Sequence, residues 1–228
     1  RNNYLSSPPA IDFGMTYINN LPDEQRREIL DDRRVLWSAF SVVRHQLESG
    51  KISNCILLGE FFFKDRPEWL TMPEMVQAAK NGFGDFLRKG GTEELDEYFW
   101  VVDNILCNKD SKDFVFATTL GVVDELVSED NESGSNWRRA LGIADIFLKD
   151  RKAEVADFLE PAVAHFIDTA IGLDIYELEF VKKVYPEIFE REAVIGAAKK
   201  LIARLIQAGE IGGASSMEDL FLLTETDS

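Results

Sequence analysis

From Leu21 to Gly213 the chain is cut by prolines, glycines and small polar residues into helix-sized lengths, and within each length apolar side chains return three and four residues apart. That pattern leaves little choice of secondary structure. Leu21-Pro22-Asp23-Glu24 opens the first length, with proline and acids in the first turn. Arg34 to Glu48, closed by Gly50, sets Val35, Leu36, Phe40, Val43 and Leu47 on one stripe. Ile52 to Lys64 is apolar nearly all round and stops before Pro67, which suits a helix in mid-core. Met72-Pro73-Glu74 starts a helix that runs to Lys89 and ends at Gly90-Gly91. Thr92 is the expected N-cap of the next, reaching about Cys107, and Ser111 of one reaching Val127. Beyond a polar, acidic loop at Ser128–Ser135, helices are expected at Asn136–Lys149, Lys152–Ile171, Ile175–Val184 and Glu187–Ala208. Pro161 should kink or split the second of these. Gly209 to Gly213 ends the last long helix, and Met217–Leu223 forms a short apolar one. No strand alternation and no Asn-Gly or Asp-Gly hairpin signal appears.

A second regularity lies on top of the first. Val101-Val102-Asp103-Asn104-Ile105-Leu106 returns as Val122-Val123-Asp124-Glu125-Leu126-Val127, as Ile143-Ala144-Asp145-Ile146-Phe147-Leu148, and as Phe166-Ile167-Asp168-Thr169-Ala170-Ile171. The aspartates stand 21, 21 and 23 residues apart, and Leu58-Gly59-Glu60-Phe61-Phe62 echoes them 43 residues before Asp103. One helix and its turn fill such a period, and two make a helical hairpin of HEAT-repeat size. Each acid is expected at the rim of its helix's buried stripe. The expected class is therefore all-α, as a HEAT-like helical-hairpin array (an α-solenoid) or a compact multi-helix bundle. Residues 1–20 read as an irregular segment, 21–213 as one helical domain, and 214–228 as a short C-terminal helix and tail.

With 45% hydrophobic and 11% aromatic residues, global disorder is excluded. The densest apolar run, Cys55 to Phe63, is too short to span a bilayer and carries Glu60 within it. Arg1 to Ala10 is polar, contains Pro8-Pro9 and lacks the apolar centre of a secretion signal; opening on Arg1, the chain reads as beginning inside a longer product. Cys55 and Cys107 both sit among apolar neighbours and read as reduced core thiols of a cytoplasmic protein. The net charge is −16, unevenly spread: residues 1–114 carry 14 basic and 19 acidic side chains, residues 115–228 carry 11 and 22. A field of that sign disfavours nucleic acid and anionic lipid and favours a basic protein partner.

Chemistry-bearing motifs are sparse. His45 and His165 with the two cysteines lack the paired spacing of a structural zinc site, and neither histidine has a Glu three residues before it, as a di-iron bundle requires. There is no Gly-x-Ser-x-Gly elbow, and Gly209-Glu210-Ile211-Gly212-Gly213 lacks the Lys-Ser/Thr of a phosphate loop, so no metal or cofactor is expected. Glu60, inside an apolar helix, is the one carboxylate placed for a raised pKa and an acid–base role, with His45 or His165 as the candidate partner in an enzyme reading. Of the tryptophans, Trp37 and Trp100 read as core, whereas Trp69 and Trp137 stand at boundaries suited to a partner anchor. Acids are densest at Asp124, Glu125, Glu129, Asp130 and Glu132. These five with Trp137 are the expected partner-binding set.

The acidic helical array, above all the stretch from Phe99 to Val127, resembles the helical, HEAT-like immunity proteins that neutralise bacterial polymorphic toxins. The resemblance implies a cytoplasmic, non-catalytic protein that blocks a toxin by binding it, and an acidic chain suits a basic nuclease toxin. Two alternatives stand beside this binding role: a regulatory or scaffold domain of a larger assembly, and an enzyme with a helical site around Glu60. Oligomeric state is not legible.

Overall fold

The computed structural model describes residues 8–89, 92–128, 135–169 and 175–222, and among them every regular element is helical. The helices are α1 (Pro8–Asn19), α2 (Asp23–Asp31), α3 (Arg33–Glu48), α4 (Ser53–Phe63), α5 (Pro67–Leu70), α6 (Pro73–Lys89) and α7 (Thr92–Asn104). They continue as α8 (Lys109–Ser128), α9 (Ser135–Phe147), α10 (Lys152–Thr169), α11 (Ile175–Val184), α12 (Glu192–Ala208) and α13 (Ile211–Leu222). Short 3-10 turns at Lys149–Arg151 and Pro186–Glu190 precede α10 and α12. The chain divides into two compact units, residues 1–118 and 119–228, with the division inside α8.

In the first unit α3 is the hub. Leu36, Ala39, Phe40, Val43 and Leu47 are buried along it, the stripe that the three-and-four spacing dictates, and α2, α4 and α6 pack on it. The α3–α6 crossing is close because Gly82 has no side chain: a Cβ there would lie 2.0 Å from the Leu47 carbonyl oxygen. Gly59 performs the same service between α4 and α7, since its Cβ would lie 2.3 Å from the Trp100 ring. Two contacts fix the direction of that pair. Ser53 meets Glu97 and Glu60 meets Trp100, so α4 and α7 run the same way. Asp32 begins α3, its Oδ1 accepting the Arg34 backbone N–H at 2.8 Å. At the other end Gly50 takes φ 69°, the Lys51 N–H reaches the Gln46 carbonyl and the Gly50 N–H the Leu47 carbonyl. This is a Schellman close, and it turns the chain sharply into α4.

In the second unit α12 packs on both α10 and α13, and α11 contacts α9 and α13. Arg191, extended just ahead of α12, holds Asp157 at 2.7 Å and Glu160 at 2.8 Å on α10. Arg204 donates to the Asp168 carbonyl at 2.6 Å, so α10 and α12 are also parallel. Packed helices two along in sequence that run parallel are what stacked helical hairpins produce.

Several expectations need correction. Pro8–Asn19, read as irregular, is helical, with Pro8 and Pro9 in its first turn, where proline's missing N–H costs nothing. The N-cap of α8 is Asn108, whose Oδ1 accepts the Ser111 N–H at 2.8 Å; Ser111 itself is buried and its hydroxyl finds no partner among the described residues. Helix α7 stops at Asn104, three residues short of Cys107. Helix α10 runs through Pro161, which lies on the exposed face, and the expected Glu187–Ala208 helix is broken at Arg191. The helix α13 begins at Ile211, so Gly212 and Gly213 lie inside it and the break is confined to Gly209, at φ 80°, and Glu210. The loop expected at Ser128–Ser135 falls, for 129–134, outside the described residues.

Candidate functional site

The repeated acids occupy equivalent places. Asp103, Asp124, Asp145 and Asp168 stand on the successive helices α7, α8, α9 and α10, all exposed, toward the C-terminal end of each. Val101, Val123, Ile143 and Ala144, and Ile167 just before them are buried. An acid near a helix C-terminus opposes the helix dipole, and among the described residues Lys152 lies 3.4 Å from Asp145 and Arg204 3.9 Å from Asp168.

Of the expected partner-binding set, Asp124 and Glu125 are exposed on the last turns of α8. Glu129, Asp130 and Glu132 lie outside the described residues. Trp137 belongs to the interior: it is 8% exposed and its ring centroid is 5.3 Å from that of Phe166. It therefore offers a partner no anchor. Trp37 differs in the other direction, being 41% exposed where a core residue was expected. It lies edge-on to Trp69 at 5.1 Å, and Trp69 in turn stacks on Phe63 at 5.8 Å. Phe63 is fully buried, whereas Trp37 and, one turn apart on α1, Phe13 and Tyr17 are the exposed aromatic side chains among the described large hydrophobics of the first unit.

No acid–base centre assembles where the sequence suggested one. Glu60 is exposed rather than buried, and its Oε1 accepts the Trp100 indole N–H at 2.6 Å. His45 and His165 are exposed on α3 and α10, in different units. Among the described residues no three His, Cys, Asp or Glu side chains converge as metal ligands would. The two thiols are free and part company. Cys107 is exposed, against expectation, because α7 ends before it. Cys55 is buried, donates weakly to the Lys51 carbonyl at 3.4 Å, and burial pushes its pKa up to about 12.

Sequence reasoning passed over the concavity where α3 turns into α4. This cleft of 470 Å³ is lined by Gly50, Lys51, Ser53, Asn54 and Glu97 and by the apolar Ile52, Leu57 and Phe86. The Schellman turn at Gly50 sets its rim, and the parallel packing of α7 on α4 brings Glu97 to Ser53, whose hydroxyl donates to Oε2 at 2.8 Å. Residues 44 apart in sequence thus share a wall, a pairing that no local pattern announces. Among the described residues the cleft offers one carboxylate, one ammonium, a hydroxyl and an amide beside apolar side chains. That is an inventory for binding, without a base–nucleophile–orienter relay.

Compared with protein-family models, curated proteins and solved structures, the chain matches none.

Proposed function

We propose that this chain is a non-catalytic protein-binding domain whose partner is a basic protein. Following its resemblance to HEAT-like immunity proteins, we propose further that it acts in the cytoplasm and neutralises a toxin by occupying it. The observation that carries the reading is the charge. The second unit, residues 119–228, holds 22 acidic and 11 basic side chains, and Asp124, Glu125, Asp145 and Asp168 are exposed on its helices. A stacked helical array presents a broad surface, and a field of one sign over it speeds the encounter with an oppositely charged protein. Among the described residues no helix is long and apolar enough to cross a membrane.

The test starts from a basic protein captured with the chain from its native source. Asp124, Glu125, Glu129, Asp130 and Glu132 are replaced together by Lys, and association and dissociation rates are measured at low and high salt. Steering by these acids predicts about a tenfold fall in association rate, most of it erased at high salt. Equal association by both proteins at both salt concentrations would sink the reading.

A further inference from the structure

Glu97 is the carboxylate on the wall of the α3–α4 cleft. It is half-buried, one oxygen accepts the Ser53 hydroxyl at 2.8 Å, and no Lys, Arg or His nitrogen stands within 4.0 Å among the described residues. A carboxylate that has lost part of its hydration gains more from a cation than from the single hydroxyl it holds. In the same lining Leu57 is 44% exposed, and Ile52 and Phe86 are buried. An exposed leucine one turn along from a serine that holds a carboxylate suits a side chain whose methylenes lie on the leucine and whose positive head reaches the acid. We propose that this cleft receives a lysine or arginine side chain presented by the protein partner. The proposal rests on the reading above, that the partner is basic, and names where one of its cations goes. The first unit is the less acidic, with 19 acids against 14 bases, so selection here comes from Glu97 and its apolar neighbours more than from the overall field.

Lys51 shares the lining, exposed and more than 4.0 Å from Glu97. It opposes an incoming cation, and that gives the test a sign. The full chain, labelled with ¹⁵N, is titrated with N-acetyl-arginine amide, N-acetyl-lysine amide and, as the same stem without charge, N-acetyl-norleucine amide. Saturable shifts are expected at Gly50 to Leu57 and at Glu97 with one or both of the charged amides, and weaker ones with norleucine. Glu97→Gln should lower affinity about tenfold while leaving the thermal melt in place, because the glutamine oxygen still accepts from Ser53. Lys51→Ala should raise affinity a few-fold. Equal binding of the norleucine amide would overturn the proposal, as would indifference to Glu97→Gln or the absence of any saturable shift. Weakening by Lys51→Ala would overturn it too, since that marks an anionic or zwitterionic occupant. These amides need no partner, so failure here leaves the charge-reversal test standing. Failure of that test leaves a cleft that binds cations for another purpose.

Discussion

Gly82 and Gly121 are both helical glycines, and the same substitution should act on them in opposite senses. Alanine is favoured over glycine within a helix by about 1 kcal/mol. At Gly121, on the exposed face of α8, an added Cβ meets nothing within 4 Å, so Gly121→Ala should stabilise by about that amount. At Gly82 the methyl would stand 2.0 Å from a backbone carbonyl, which cannot swing aside as a side chain can. Forcing α3 and α6 apart costs more than the propensity gain, and Gly82→Ala should lose about 2 kcal/mol in urea unfolding. A second prediction at this scale concerns the buried thiol. Cys55 keeps its proton in the fold up to about pH 12, whereas the unfolded thiol loses it near 9.0. Unfolding between those values releases a proton, so stability should fall as pH rises, by up to about 1.4 kcal/mol per unit. Tyr98 and Tyr185, their pKa values raised chiefly by burial, add to the same decline above about pH 10. Cys55→Ala should flatten the curve, and a thiol reagent should label Cys107 alone in the native protein. Sequence gave warning of one of these features and misread another. Glu60 looked buried because its neighbours are apolar, yet its echo of the Asp103 register already placed it outside: Leu58 and Gly59 are buried and Glu60 is not. For a single residue, the face of the helix outweighs the company kept along the chain.

Helices were the most legible level, because each period of apolar side chains is long enough to average out individual errors. Ile175–Val184 was expected residue for residue, and α3 and α6 within one residue. The failures are at ends and joints, where one side chain decides. Two polar residues near the start of α8, Asn108 and Ser111, could each serve as N-cap; which one does so depends on where the preceding turn leaves the chain. The structure gives the role to Asn108 and buries the Ser111 hydroxyl without a partner among the described residues. Their alanine variants should therefore differ in sign. Asn108→Ala removes a cap and should cost about 1 kcal/mol. Ser111→Ala removes an unsatisfied buried hydroxyl and should gain up to about 1 kcal/mol. Equal losses from both, measured by denaturant unfolding, would restore Ser111 as the cap. Arg191 illustrates a joint of another kind. Nothing local marks a break between Glu187 and Ala208, but an extended residue there lets the guanidinium span Asp157 and Glu160 on α10. Long-range pairing of this sort, like Ser53 with Glu97, leaves no trace in a window of neighbouring residues.

For the whole molecule the governing quantity is the surplus of sixteen negative charges, which was plain from the sequence and sets how stability should respond to salt. Two opposed effects compete. Ion pairs such as Arg26–Asp23 at 2.9 Å and Lys89–Asp85 at 3.0 Å favour the fold, and screening weakens them. Repulsion among the unpaired acids disfavours the compact state, and screening relieves it. Length scale decides between them. Raising ionic strength from about 0.01 M to about 0.15 M shortens the Debye length from about 30 Å to about 8 Å. Pairs about 3 Å apart remain inside that distance and lose little; they are also exposed, so each contributes only about 0–1 kcal/mol to begin with. Acids farther apart than about 8 Å lose most of their mutual repulsion. Melting temperature should therefore rise with added sodium chloride over this range by a few degrees, about 2–4 °C for each kcal/mol gained. The rise should level off once the Debye length falls below the spacing of neighbouring acids. The same measurement on the variant with Asp124, Glu125, Glu129, Asp130 and Glu132 changed to Lys should give a smaller rise, because that change removes ten units of negative charge and leaves a net charge of about −6. A melting temperature that falls with salt in the parent protein would mean that the short ion pairs outweigh the surplus, and the acid surface would then be a network holding the fold together rather than a field directed at a partner.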